Sequence, residues 1–247
     1  MKTHLTTVKN YKLLYVPVKS KDILVSSLVG FSEAHEDRAN YGMSHLLEHA
    51  LLHSWAKYPE YSINAELLSR GVGTNASTHS EYVWYHALGG SENLDFMTEY
   101  ITTIMTSPSI TTKVAETEKH AVRQELLGYL QDSTTQMEHT MTESLLPGSA
   151  AAANYDMKNL IKNLKNLTPQ VMKAFFKKHY TPSNITFIVF GDKSHRTHVV
   201  NAFRKHLKSK SPGGRSVVLT NNCMVAGQTL KLVELPRADM VKSTIWM

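Results

Sequence analysis

Residues 41–55 read YGMSHLLEHALLHSW. Apolar side chains recur there at intervals of three and four, which predicts a helix from about Asn40 to Trp55. Within it, His45 and His49 stand four apart, one turn along the same face. Two imidazoles so placed can converge on one metal ion, and Glu48 beside them can face an activated water without being a ligand. The chain holds 13 histidines, so a five-residue match alone also suits two half-buried histidines beside a surface glutamate.

A catalytic zinc needs a third protein ligand and an open position. His53 continues the four-residue series. However, positions 45 and 53 lie about 12 Å apart along a helix axis at ~1.5 Å per residue, too far for both to reach one ion at ~2 Å. A surface or core role is expected for His53. The helix predicted over 111–131 offers EKHAVRQE, with Glu118 and Glu125 seven apart on one face. One can ligate while the other hydrogen-bonds a ligand histidine and sets its tautomer; a solvated helix face carries such a pair equally well.

Working outward, 247 residues suit one large domain or two small ones at roughly 150 residues each. A composition of 42% hydrophobic and 19% charged residues excludes collagen, coiled coil and intrinsic disorder. The lone Cys223 excludes a disulfide framework and a cysteine-rich zinc module. It favours a reducing compartment, so the cytoplasm or another reducing intracellular compartment is the expected location. No run approaches the ~18 apolar residues of a spanning helix, so no membrane partner is expected. The opening MKTHLTTVKNYKLLYVPV makes a poor signal peptide and lacks the arginines of a transit peptide. Residues 1–130 hold 11 basic and 14 acidic side chains, net −3; residues 131–247 hold 16 and 7, net +9. The basic half reads as a solvated lysine-rich helical face. Aromatics are not interleaved with its lysines, so nucleic acid is not an expected partner.

Strands are predicted at 11–17 and 22–31, separated by the polar KSKD turn. INAELLSR gives a short helix ending at Gly71. TNAST and EYVWYHAL form a hairpin turning near His79–Ser80. Helices follow at 91–106, 111–131, 134–145, 156–164 and 169–178. NITFIVFGD carries a strong strand at 184–190, before a helix at 194–208. SKSPGGRS reads as a loop or linker, and QTLKLVELP as a further strand. The fold class is α+β, a mainly antiparallel β-sheet packed against several α-helices.

HLLEH at 45–49 resembles the inverted zinc motif H-x-x-E-H. The chain is similar to the catalytic domain of the pitrilysin/insulinase metallopeptidases, which include the mitochondrial processing peptidase. GTNAST at 73–78, followed by EYVWYHAL, resembles that family's G-x-x-N-A-x-T hairpin strand. EKHAVRQE resembles its second glutamate motif, and KKHYTPSNITFIVFGD its Y-x-P-x-N strand ending in G-D. The resemblance runs from about residue 10 to 208.

It implies one half of a pitrilysin-type clamshell and a zinc-dependent endopeptidase acting on unfolded or extended polypeptides. It implies one Zn2+ per chain on His45, His49 and Glu125, with Glu48 as general base and Glu118 orienting the site without ligating. An extended peptide is expected to pair as an added strand along Asn75, Ala76, Ser77 and Thr78. Residues 1–210 are then the peptidase domain, and 211–247 a linker with the opening strands of a second half. Because the closing VKSTIWM is strand-like, a second domain-like chain or a homodimer is the expected partner. A non-catalytic interaction subunit is the alternative; inactive relatives typically lose ligand residues, and this chain keeps them. The chain departs from the family pattern after LLPG, where Ser149-Ala150-Ala151-Ala152 replaces His-Pro-hydrophobic-Gly.

Overall fold

Alternating apolar residues build six strands into one sheet: β1 (His4–Val8), β2 (Tyr11–Pro17), β3 (Asp22–Val29), β4 (Gly73–Thr78), β5 (Val83–Gly90) and β6 (Ile185–Gly191). The computed structural model describes residues 2–37, 39–59, 61–145 and 156–214. The strand order is β1-β2-β6-β3-β5-β4. Every neighbouring pair is antiparallel except β2 with β6. The mainly antiparallel α+β architecture is therefore the one observed.

Two features of the sheet were not legible in the strand patterns. HLTTV forms an additional edge strand, β1, turned into β2 through Lys9 (φ 47°) and Asn10 (φ 73°). Two consecutive left-handed residues give the turn whose twist matches that of the flanking strands. The strands at 11–17 and 22–29 are also not neighbours. β6 inserts between them, so that Val189 lies opposite Tyr15 on one side and Val25 on the other. ITFIVFG buries alternate residues completely, and a strand with that much apolar surface is best satisfied when paired along both edges.

Among the described residues there are eight α-helices: α1 (Met43–Leu52), α2 (Ser62–Ser69), α3 (Leu94–Thr106), α4 (Thr112–Tyr129), α5 (Ser133–Leu145), α6 (Met157–Asn163), α7 (Pro169–His179) and α8 (Arg196–His206). None is long and apolar enough to cross a membrane. α3 is buried along most of its length, between β3 and β5 on one side and α8 on the other. The Phe187 and Phe203 rings, 5.0 Å apart, join β6 to α8. On α1, Met43, Leu46, Leu47, Ala50 and Leu51 are fully buried, whereas His45, Glu48 and His49 are only partly so. The apolar stripe thus anchors the helix and turns the polar residues toward α4 and β4, which α1 touches. Thr111 caps the start of α4, its hydroxyl oxygen accepting from the Val114 amide at 3.2 Å. The Ser149–Ala152 segment, the QTLKLVELP strand and the closing VKSTIWM lie outside the described residues.

Candidate metal centre

α1 is preceded by Gly42, whose φ of 87° lets the chain turn sharply into the helix. Its first amides meet a buried carboxylate: Glu36 Oε2 accepts from Gly42 N at 2.8 Å and Oε1 from Ser44 N at 2.6 Å. Burial pushes this carboxyl up to about 8, with the bonds from Ser44 and Gly42 pulling the other way. Amides at a helix N-terminus have no partner within the helix, and the Glu36 carboxyl supplies acceptors for two of them at the start of the histidine-bearing helix. Glu36 was not read as a functional residue. Its signal was an acidic group just ahead of a helix start.

Among the described residues, His45, His49 and Glu125 form one group whose ligand-capable atoms all lie within 4.8 Å of one another. Nε2 of His45 and Nε2 of His49 each stand 3.3 Å from the same oxygen, Glu125 Oε2. The other oxygen of Glu125 accepts from Tyr129 OH at 2.6 Å, which leaves Oε2 for the histidines. Two imidazoles and one carboxylate are a donor set that suits zinc, so the residues present fit such an ion. Glu118, two turns back on α4, is buried and meets the other side of His49, with Oε2 3.4 Å from Nδ1. Of the two glutamates left open by spacing, Glu125 is thus the one facing both Nε2 atoms. His53 stands apart from the three-residue group. Its Nε2 is 3.8 Å from Glu118 Oε1, and its ring packs on Tyr61 at 4.3 Å.

Hydrogen bonds from His45 and His49 hold the Glu125 carboxyl well below the ordinary range. Burial pushes His49 down, but its bonds to Glu118 and Glu125 outweigh this and raise the imidazole to about 9. Burial works against ionisation of Glu118 as well, yet bonds from His49 and Tyr61 leave its carboxyl below the ordinary value. The site is built to hold positive charge between carboxylates, and a proton on His49 competes with a metal for the same donors.

Glu48 faces the sheet, its Oε2 accepting from Thr78 Oγ1 at 2.6 Å. Ala76, Ser77 and Thr78 line an open pocket of about 330 Å3 together with His45, Glu48, His49 and Glu125. Asn75 lies on the same strand, and its Oδ1 accepts from the Ala76 amide at 2.9 Å. Glu33, Leu126, Tyr129, Met157 and Leu160 complete the pocket wall. They were not read from the sequence: nothing local marks Glu33, Met157 and Leu160, which come from other segments, whereas Tyr129 stands one turn after Glu125 on α4 and its spacing could have marked it.

A helix pair carrying a two-histidine, one-carboxylate donor set beside a strand that ends the sheet among the described residues has the architecture of an inverted-motif metallopeptidase domain. The chain belongs to the family described as Insulinase (Peptidase family M16), whose model matches residues 25–164. Residues 166–238 match the model for the Peptidase M16 inactive domain. Protease 3 of Salmonella typhi is 26% identical over 179 residues, 71% of this chain and 18% of that protein. The mitochondrial-processing peptidase subunit beta of Caenorhabditis elegans is 21% identical over 86% of this chain and 46% of its own length. An uncharacterized zinc protease of Streptomyces coelicolor is 24% identical over 73% and 39%. The chain therefore spans less than half the length of these relatives. In fold it is similar to the first half of the periplasmic protease PqqL from Escherichia coli, with a TM-score of 0.74 at 18% identity over 88% of this chain and 48% of that one.

Proposed function

We propose that residues 1–210 form the zinc-binding catalytic domain of a metalloendopeptidase that hydrolyses unfolded or extended polypeptides. The observation that carries this reading is the convergence of His45, His49 and Glu125 within 4.8 Å, with Glu48 tethered beside them to the edge strand. A zinc ion held by those three residues would supply Lewis acidity, polarising a water and the scissile carbonyl.

The remaining roles belong to this chain's own groups. Thr78 occupies Oε2 of Glu48, so Oε1 is free to take a proton from the attacking water and return it to the leaving amine. Glu118 keeps the Nδ1 hydrogen of His49 engaged, which leaves Nε2 as the donor. Among the described residues, β4 is paired on one side with β5 and stands at the end of the sheet. An extended peptide can add to such an edge through main-chain bonds whatever its sequence, and would compete with Asn75 for the Ala76 amide. An open cleft lacks the wall that excludes water and positions the peptide. The short span relative to its relatives supports a second, domain-like half as the partner that supplies the wall, in the same or another chain.

The match of residues 166–238 to the inactive-domain model favours a second reading, a non-catalytic subunit. Zinc analysis of the purified chain together with cleavage of an unfolded fluorogenic peptide separates the two. One zinc per chain, lost in His45→Ala, and cleavage by the wild type are expected. Full zinc in His45→Ala would remove the ligand assignment. A zinc-replete chain inert with and without a second half would favour the non-catalytic reading.

A further inference from the structure

Tyr61 occupies backbone space that aromatic residues avoid. Its φ of 68° and ψ of 5° are left-handed, a conformation that is uncommon outside glycine and asparagine. Strain of this kind persists where the surroundings over-determine it and concentrates at functional sites. Tyr61 stands at the start of α2, yet its side chain makes no capping bond there. Instead the turn aims its hydroxyl at α4, donating to Glu118 Oε1 at 2.6 Å. A phenol meeting a carboxylate at that distance makes a charge-assisted bond, stronger than a neutral one. The ring is held from the side by His53, with centroids 4.3 Å apart.

The carboxylate of Glu118 is thereby divided. One oxygen receives Tyr61, and the other lies 3.4 Å from Nδ1 of His49. The terminal torsion of a glutamate is soft and has no single preferred setting, so α4 alone does not decide which way the carboxylate plane turns. A neutral imidazole can carry its hydrogen on either nitrogen, and the partner of one nitrogen determines the role of the other. For Nε2 of His49 to act as a donor, an acceptor must be kept at Nδ1.

We propose that Tyr61 is a positioning residue of the metal centre: its hydroxyl locks the Glu118 carboxylate in the plane that holds His49 with Nε2 turned toward His45 and Glu125. This rests on the reading of the three-residue group as a metal site. It assigns the strained turn before α2 a purpose that its own helix does not need.

The test is Tyr61→Phe in the full chain, which removes one oxygen and keeps the ring. Zinc affinity is measured by competition with a chromophoric chelator, the Co2+ absorption spectrum reports ligand geometry, and the thermal midpoint is taken without metal. Loss of a group that orients a ligand typically costs about 10–100-fold in metal affinity. A loss in that range is expected, with a shifted Co2+ spectrum and a metal-free midpoint close to wild type. Glu118→Gln and the double variant complete a cycle. Because Tyr61 acts through Glu118, adding Tyr61→Phe to Glu118→Gln should cost nothing further. Zinc affinity within twofold of wild type, additive losses in the cycle, or a Tyr61→Phe chain that fails to fold would each overturn the inference. A wild-type chain that takes up no zinc would overturn the metal-site reading and this inference with it, whereas equal affinities in a zinc-binding wild type and variant would overturn this inference alone.

Discussion

Glu48→Gln separates proton transfer from metal binding and from folding. Thr78 Oγ1 donates to Glu48 Oε2 at 2.6 Å. A glutamine at 48 can keep that bond only by turning its carbonyl oxygen to Thr78. Its amide nitrogen then takes the place of Oε1 and offers hydrogens where an acceptor is needed. A positioned general base contributes typically about 10²–10⁴-fold, which at ~1.4 kcal/mol per decade raises the barrier by about 3–5 kcal/mol. Glu48 lies outside the three-residue donor group, so zinc content should be unchanged. It is only partly buried, so the unfolding midpoint should be close to wild type. KM should change little, because peptide pairing is assigned to the backbone of β4. The assay is steady-state cleavage of a quenched fluorescent peptide by zinc-quantified enzyme, with the second half present if activity requires it. A zinc-replete Glu48→Gln turning over within tenfold of wild type would place the base elsewhere.

Three further outcomes are expected. Leu46 is fully buried on the anchoring face of α1, so Leu46→Ala should lower unfolding stability by about 2–5 kcal/mol in urea titration, and zinc binding with it; a loss below ~1 kcal/mol would mean that α1 is anchored otherwise. His179, stacked on Phe31 at 3.8 Å, is lowered to about 4 by burial first and then by Lys178 and His35. The unfolded chain therefore binds a proton there that the folded chain refuses, and this contribution to stability is present above about pH 6.5 and lost as pH falls toward 4; His179→Gln should flatten the dependence of the urea midpoint across that window, and an unchanged slope would refute it. If peptides add as a strand to β4, a tightly folded protein should be cleaved more slowly than its unfolded form, because its backbone is already paired; the reverse order in a gel time course would contradict edge pairing.

Local patterns carried much of this protein. The helix over Met43–Leu52, the hairpin of β4 and β5 and the strand Ile185–Gly191 were each legible, because periodicity and turn residues act within a few positions. The shared face of His45 and His49 follows from helix geometry alone and needs no knowledge of the rest of the chain. The exclusion of His53 as a ligand rests on the same rise per residue.

What tertiary structure decided is what depends on long-range placement. β6 lies between β2 and β3 although more than 150 residues separate it from either in sequence, and no local feature distinguishes that order from a simple hairpin of β2 and β3. Glu118 and Glu125 share one face of α4 about 10 Å apart at ~1.5 Å per residue. Only the way α4 packs on α1 brings Glu125 to both Nε2 atoms and Glu118 to Nδ1 of His49. Tyr61 reaches Glu118 of this centre from a turn whose own residues carry no metal-binding pattern. A helix presents its side chains by its own geometry, but which of them meet is decided by how the helices pack, and that is determined by the whole core at once.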